Sequence, residues 1–563
     1  MTLSRRALLK IAVSAIPAAM LGVASTDAAE GGLEYGPSEA FSFDRLTDMA
    51  RELSLAPHRA AADPAPAVLD RIGYSEHVEV YQRADGGLYP DPSGNGAITF
   101  FHLGNYFRRP VRVFRIDSDA AREVLYRKRY FTIPEGNPAR EMPEDAGFAG
   151  FRIHGKNASI SPDGRSPDWA VFLGASYFRS SGDLDQYGIS ARGIAIDTAA
   201  HDRPEEFPDF RAFWVQPLRS GYRVYALLDG PSLTGAYRFD IFREPSVVME
   251  IEAKLFMRED VRTLGMAPLT SMYWYSETER WDGKDWRPEV HDSDGLLIHT
   301  GTGQWIWRPL SNPRRVSESS FMDNNPRGFG LMQRDRDHGN YIDPVRFERR
   351  PSLWVEPIGS WGKGCIRLVE LPTVKEYDDN IVAFFVPEKL PKQGTPLSFK
   401  YRLHWTGDDP LPDFIVATHA IRMTKPWDSA LGVTTRKVFI EFRSESFKNV
   451  PTEDLKGLAS ASRGTIDGVD VVRDPDGDPT HIRLFFNLNS TDEEASDVTA
   501  TVSLNGRQVT ETVICQVWPR ERASHANSRF AMLGKWRTCP AAIVGDRNAS
   551  QSSHRHFGAA NDR

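Results

Sequence analysis

The chain has 563 residues, of which 40% are apolar, 11% aromatic and 26% charged, enough for a large core in two to four domains. Net charge is −7 with a pI near 6.1, and the basic residues are scattered among acids, so no field exists to attract nucleic acid or anionic lipid. Three cysteines, Cys365, Cys515 and Cys539, form neither a disulfide framework nor a zinc-type spacing, which excludes thiol chemistry.

In chain order, the first feature is Ser4-Arg5-Arg6-Ala7-Leu8-Leu9-Lys10 ahead of an apolar run from Ile11 to Ala24 and the small pair Ala28-Ala29. Basic, apolar and small regions in that order read as an export signal over residues 1–29, of the twin-arginine type. The run is shorter than the roughly 20 apolar residues a membrane span needs, so no stable anchor is expected. Export to the periplasm follows. Phe41 to Leu55 places Leu46, Met49, Ala50 and Leu53 at helical spacing, with Ser42 or Asp44 available as the cap.

From about Asn95 to Trp405 the pattern becomes short runs rich in β-branched and aromatic residues: Ala97 to Leu103, Arg223 to Leu228, Ser246 to Phe256 and Asn380 to Val386. The expected fold is all-β: a large antiparallel β-sandwich over residues 40–405, then a smaller immunoglobulin-like sandwich over 436–538. Between them 406–435, with Pro410, Pro412 and Pro426, reads as a linker. The second unit contains Arg436 to Phe442, His481 to Leu488, and a strand followed by the hairpin signal Asn505-Gly506. Residues 540–563 are polar and read as a disordered tail.

No phosphate-binding G-x-x-x-x-G-K-[ST], G-x-S-x-G or H-E-x-x-H occurs, which removes the common nucleotide, esterase and metalloprotease readings. What remains is carboxylates among aromatics. Eight of 13 tryptophans lie between 274 and 405, including Trp305, Trp307, Trp354 and Trp361. Flat rings pack against sugars, and large sandwich cores also hold tryptophan. Within this region His291-Asp292-Ser293-Asp294-Gly295 could be a calcium loop, a capped turn or a catalytic carboxylate. Tyr377-Asp378-Asp379-Asn380 stands at the start of a buried-looking strand and could equally be solvated loop. If both line one cleft, one acid protonates a leaving oxygen while the other activates water, with about 6.5–9.5 Å between carboxyl groups for inversion and about 5 Å for retention. Asp474-Pro475-Asp476-Gly477-Asp478 resembles a calcium loop but lacks the later glutamate and reads as a turn.

Several long segments carry a resemblance: GFAGFR (147–152), LGASYFR (173–179), QYGISARGIAIDT (186–198), EEFPDFRAFW (205–214), WIWRPLSNP (305–313), DNNPRGFGLMQRDRD (323–337) and RPSLWVEP (350–357). Through them the chain resembles the G and D glucans biosynthesis proteins of osmoregulated periplasmic glucan synthesis. The twin-arginine leader and DNNPRGFG lean toward the D type. The resemblance implies an inverting glycosidase acting on β-1,2-linked glucan, with Asp379 matching the general acid and Asp292 the general base, working directly or through a proton relay. It implies no cofactor and no metal. His291 and the four tryptophans are the expected glucan-binding side chains, and a membrane glucan synthase and a second copy of the chain are candidate partners. Residues 340–349 depart from the family pattern at Phe347, where a tyrosine would supply a relay hydroxyl. Hydrolysis, cyclising transglycosylation and a non-catalytic scaffold that shapes the glucan all remain open at this stage.

Overall fold

The computed structural model describes residues 32–518 except 84–85, 90–95, 156–166, 244–245, 280–284, 429–431, 474–476 and 492–493. The expected leader, the tail, Cys539, Trp281 and most of the Asp474 turn lie outside the described residues. The N-terminal helix runs Phe43–Ser54, with the Ser42 hydroxyl accepting from the Arg45 amide at 3.1 Å; Leu46 and Ala50 are buried against the sheet. No described helix is long and apolar enough to cross a membrane.

The remaining regular structure is almost all strand, apart from short helical turns. One face-to-face pair of sheets makes the main body. The larger sheet has 16 strands among the described residues and passes through Asp209–Leu218, Gly221–Asp229, Leu233–Phe242, Val247–Met257, Pro396–Thr406, Ser352–Ile358, Gly328–Met332, Gly295–His299 and Trp305–Pro309. Its strands alternate as half-buried strands must: in Val247–Met257 every second residue from Val247 is buried. The smaller sheet has ten strands, centred on Ile381–Pro387, Leu264–Ser271, Ser190–Arg192 and Tyr177–Ser180. Aromatic contacts join the inner faces: Phe239 of the large sheet meets Phe178 at 5.1 Å and Phe172 at 5.3 Å on the small one. Cys365 and Cys515 are buried and unpaired with each other, acting as small apolar side chains.

The large sheet does not stop at Trp405. Trp305–Pro309 pairs in parallel with Thr512–Val517, which pairs with Ser496–Leu504 and then Leu455–Ala461. These three strands form one layer of the smaller C-terminal sandwich. Its other layer is Thr418–Met423, Thr434–Arg443, His481–Ser490 and Thr465–Arg473, packed through Val438, Ile440, Leu484 and Phe486 onto Val498, Val502 and Val513. Residues 406–435, expected as an irregular linker, thus supply the strand Thr418–Met423, which pairs with Thr434–Arg443. The prolines mark the bends on either side of that strand, not a loose connection. At the predicted hairpin, Asn505 and Gly506 both adopt positive φ (51° and 78°), the left-handed pair a tight two-residue turn requires.

Candidate active site

The site is assembled on the face of the smaller sheet that points away from the main core. Register places Arg179, Ser190, Thr270 and Val382 in one row across four strands, and cross-strand partners share a face. Arg192 lies two residues beyond Ser190 and therefore on that face as well. Arg192 is paired with Glu205 at 2.8 Å, and Glu205 also accepts from Thr198 Oγ1 at 2.7 Å. Arg179, Ser190, Arg192 and Thr270 are all buried, so loops roof this face. Ser190 Oγ and Thr270 Oγ1 have no hydrogen-bond partner among the described residues. A buried row of polar groups with spare bonding capacity is unusual for a purely structural surface.

Two of the roofing turns carry the expected carboxylates, and both are anchored on consecutive residues. The Asp292 amide donates to Met272 O at 2.8 Å. The Tyr273 amide donates to Asn380 Oδ1 at 2.9 Å, and Asn380 Nδ2 returns a bond to Tyr273 O at 2.9 Å. Met272 and Tyr273 thereby bring the Asp292 turn and the Asp379 turn to one place. Asp292 is fully buried, with Oδ1 held by Arg350 and Oδ2 unpartnered among the described residues. Asp379 also has a buried Oδ2 without a partner. Burial pushes the Asp379 carboxyl up to about 6, against the pull of Arg179, Arg192 and Arg350 and with a small push from Asp378. Arg350 therefore faces both acids, pairing with one and biasing the other.

The approach of Arg350 has local causes. Gly188 lies against it: an added Cβ there would stand 3.0 Å from Arg350 Cβ, so a side chain at 188 would press on the arginine. On its other side the guanidinium sits 4.2 Å from the Phe347 ring centroid, a cation–π contact, and Phe347 stacks on Tyr341 at 5.9 Å. The 340–349 segment thus buttresses the arginine with an apolar ring and offers no hydroxyl at 347.

The remaining expected site residues lie inside the protein. His291 is fully buried, between Tyr273 and Tyr341, with Nδ1 2.9 Å from Gln333 Oε1 and Nε2 3.1 Å from Glu289 Oε2. Burial works against its charge, but Glu289, Asp294 and Asp335 outweigh it and raise the imidazole to about 9. It is a strut under the Asp292 turn and presents no face to a sugar. Trp305, Trp307, Trp354 and Trp361 are buried too. Trp307 lies over Gly295 and beneath the Arg334 guanidinium at 3.7 Å, and Trp354 lies over Gly328. Trp305 stacks on His299 at 3.9 Å, and Trp361 packs against Phe385 at 5.3 Å. The first three fill the core shared with the C-terminal strands, which the sequence could not reveal because that pairing is non-local. Sequence reasoning missed Arg179, Arg192 and Arg350, although all three lie inside segments that carry the family resemblance. Among the described residues no group of three or more His, Cys, Asp or Glu is arranged to hold a metal ion.

Residues 41–517 match the family model described as periplasmic glucan biosynthesis protein, MdoG. The chain is 43% identical over 527 residues to Glucans biosynthesis protein D 2 of Ralstonia nicotianae, covering 92% of this chain and 98% of that one. It is 38% identical over 530 residues to Glucans biosynthesis protein D of Stenotrophomonas maltophilia (92% and 97%), and 38% identical over 549 residues to that of Xanthomonas oryzae pv. oryzae (94% and 100%). Matches of this length, running through the sandwich, the paired carboxylate turns and the C-terminal strands alike, show that the chain belongs to the periplasmic glucan biosynthesis family and to its D type.

Proposed function

We propose that this protein cleaves or remodels the β-1,2-glucan backbone in the periplasm by inverting glycosidase chemistry. The observation that carries this reading is an unequal pair of carboxylates: Asp292 is paired with Arg350, and Asp379 is pushed up by burial. Asp379 keeps its proton to about pH 6 and can deliver it to the glycosidic oxygen as the bond to the anomeric carbon breaks. Asp292, ion-paired to Arg350, accepts the proton of the attacking hydroxyl from the opposite side. Because Asp292 is fully buried, that proton reaches it through an intervening hydroxyl or water. Attack by water gives hydrolysis, and attack by a hydroxyl of the same glucan gives a cyclic product. Phe347 supports the second outcome, since it sets an apolar ring against Arg350 at the position where a tyrosine would supply a relay hydroxyl.

The test is to incubate mature protein with linear β-1,2-glucan and follow products by mass spectrometry and reducing-end assay, with Asp379→Asn as control. New reducing ends that vanish in the variant establish a hydrolase. Products lighter by one water without new reducing ends establish a cyclising transferase, and Phe347→Tyr is then expected to raise the share of hydrolysis. An unchanged glucan refutes the enzymatic reading. Retained glucan binding would in that case leave a scaffold that shapes the backbone.

A further inference from the structure

Three loops meet on one guanidinium that the proposed chemistry does not itself use. Arg287 Nη1 lies 2.6 Å from Asp343 Oδ2 and 2.6 Å from Glu376 Oε2, and Nη2 lies 2.7 Å from Asp285 Oδ2. The arginine side chain is only 8% exposed, and its backbone carbonyl accepts the Tyr275 hydroxyl at 3.1 Å. Each partner leads to the site. Glu376 is three residues before Asp379, Asp343 belongs to the segment that carries Phe347 to Arg350, and Arg287 itself is five residues before Asp292.

The turn that bears Asp379 is also fixed at its two ends. Asn312 exchanges hydrogen bonds with the backbone of Thr373 (3.0 and 2.9 Å), and Asn380 is tied to Tyr273 and to Leu371 O. Between them, Thr373 Oγ1 bonds Asp378 Oδ2 at 2.9 Å, a contact internal to the turn. Glu376 is a charged tie from the middle of this turn to Arg287. An arginine suits the task because its planar fork bonds several carboxylates at once and stays charged at every relevant pH.

We infer that Arg287 is a positioning residue: by holding Glu376 and Asp343 together it seats the Asp379 turn against the 340–349 segment, so that acid, base and Arg350 are aligned as one unit. The inference rests on the proposed role of Asp379, and its test reads structure and activity separately. Glu376→Gln removes the tie while changing no side chain of the site itself. Loosening the turn returns Asp379 toward water, so the falling limb of kcat against pH is expected to move below pH 6. The rate at the optimum should drop by about ten- to a hundredfold with KM nearly unchanged. Glu441→Gln, which takes a buried carboxylate out of the C-terminal sheet, should lower the melting temperature without moving the limb. A Glu376→Gln enzyme with wild-type rate and limb overturns the inference. Amide exchange is measured on the same proteins: faster exchange over 371–380 is expected in Glu376→Gln, over 340–347 in Asp343→Asn, and over both in Arg287→Ala. Unchanged exchange over 371–380 overturns the inference whatever the substrate proves to be. Faster exchange in a protein inert toward β-1,2-glucan supports the positioning role and refutes the glucanase reading alone.

Discussion

Arg350 is what makes two similar side chains chemically different. Asp292 receives the guanidinium directly, whereas Asp379 feels it only at a distance and is governed by burial, which disfavours its charged form. An acid catalyst must carry its proton before the bond breaks. Protonation of Asp379 is complete well below pH 6 and is lost above it, so in the role proposed for it kcat is expected to decline as pH rises through about 6, read from a pH–rate profile. Arg350→Ala should be far more damaging than loss of one contact suggests. It leaves Asp292 fully buried with neither oxygen compensated, a change of about 3–5 kcal/mol in such settings, measurable by urea titration. A fall of less than about 1 kcal/mol would mean that water reaches Asp292 and that the ion pair is not what holds it.

At the scale of single elements, alternation and turn chemistry were legible and side-chain company was not. The expected strands at Arg223 to Leu228, Ser246 to Phe256 and Asn380 to Val386 occur as Gly221–Asp229, Val247–Met257 and Ile381–Pro387, because each is bounded by residues that interrupt pairing. The helix at Phe41 to Leu55 occurs as Phe43–Ser54 with Ser42 as its cap. The two acidic turns were visible as motifs. Their convergence was not, since it depends on Met272 and Tyr273, whose roles are played by backbone atoms that every residue possesses. The burial of the tryptophans was hidden for a related reason. Density in sequence says nothing about which rings lie over a glycine in the neighbouring strand, and Trp307 and Trp354 do so over Gly295 and Gly328. A methyl group at 328 has no space beneath the Trp354 ring, so Gly328→Ala is expected to cost about 1–3 kcal/mol and to alter the tryptophan fluorescence of the folded protein. A neutral substitution would show that the ring can shift aside.

For the molecule as a whole, the continuous sheet makes the two sandwiches one mechanical object. The junction is closed by Arg334, which pairs with Glu511 at 2.7 and 3.0 Å and with Asp409 at 2.7 Å while lying over Trp307. Beside it, a small cavity gathers Glu277, Glu289, Asp294 and Asp335 opposite the strand Thr418–Met423, and Glu277 accepts the Ile421 amide at 2.9 Å. Burial, aided by Glu289, raises Glu277 to about 8, and His291 nearby stands at about 9. Both groups bind protons more tightly folded than unfolded, so their contribution is present at low pH and is lost as pH rises from about 5 to 9. Melting temperature is accordingly expected to fall across that window, and Glu277→Gln should flatten the dependence. The same junction sets cooperativity. Glu511 is fully buried and accepts from the Thr418 amide as well as from Arg334, so Glu511→Gln weakens both layers of the C-terminal sandwich where they meet the main body. If the shared sheet couples the halves, calorimetry will show a single transition in the wild type and a single, lower one in the variant. A separate early transition, with the main body melting at its original temperature, would mean that the parallel pairing of Trp305–Pro309 with Thr512–Val517 joins two independently stable units.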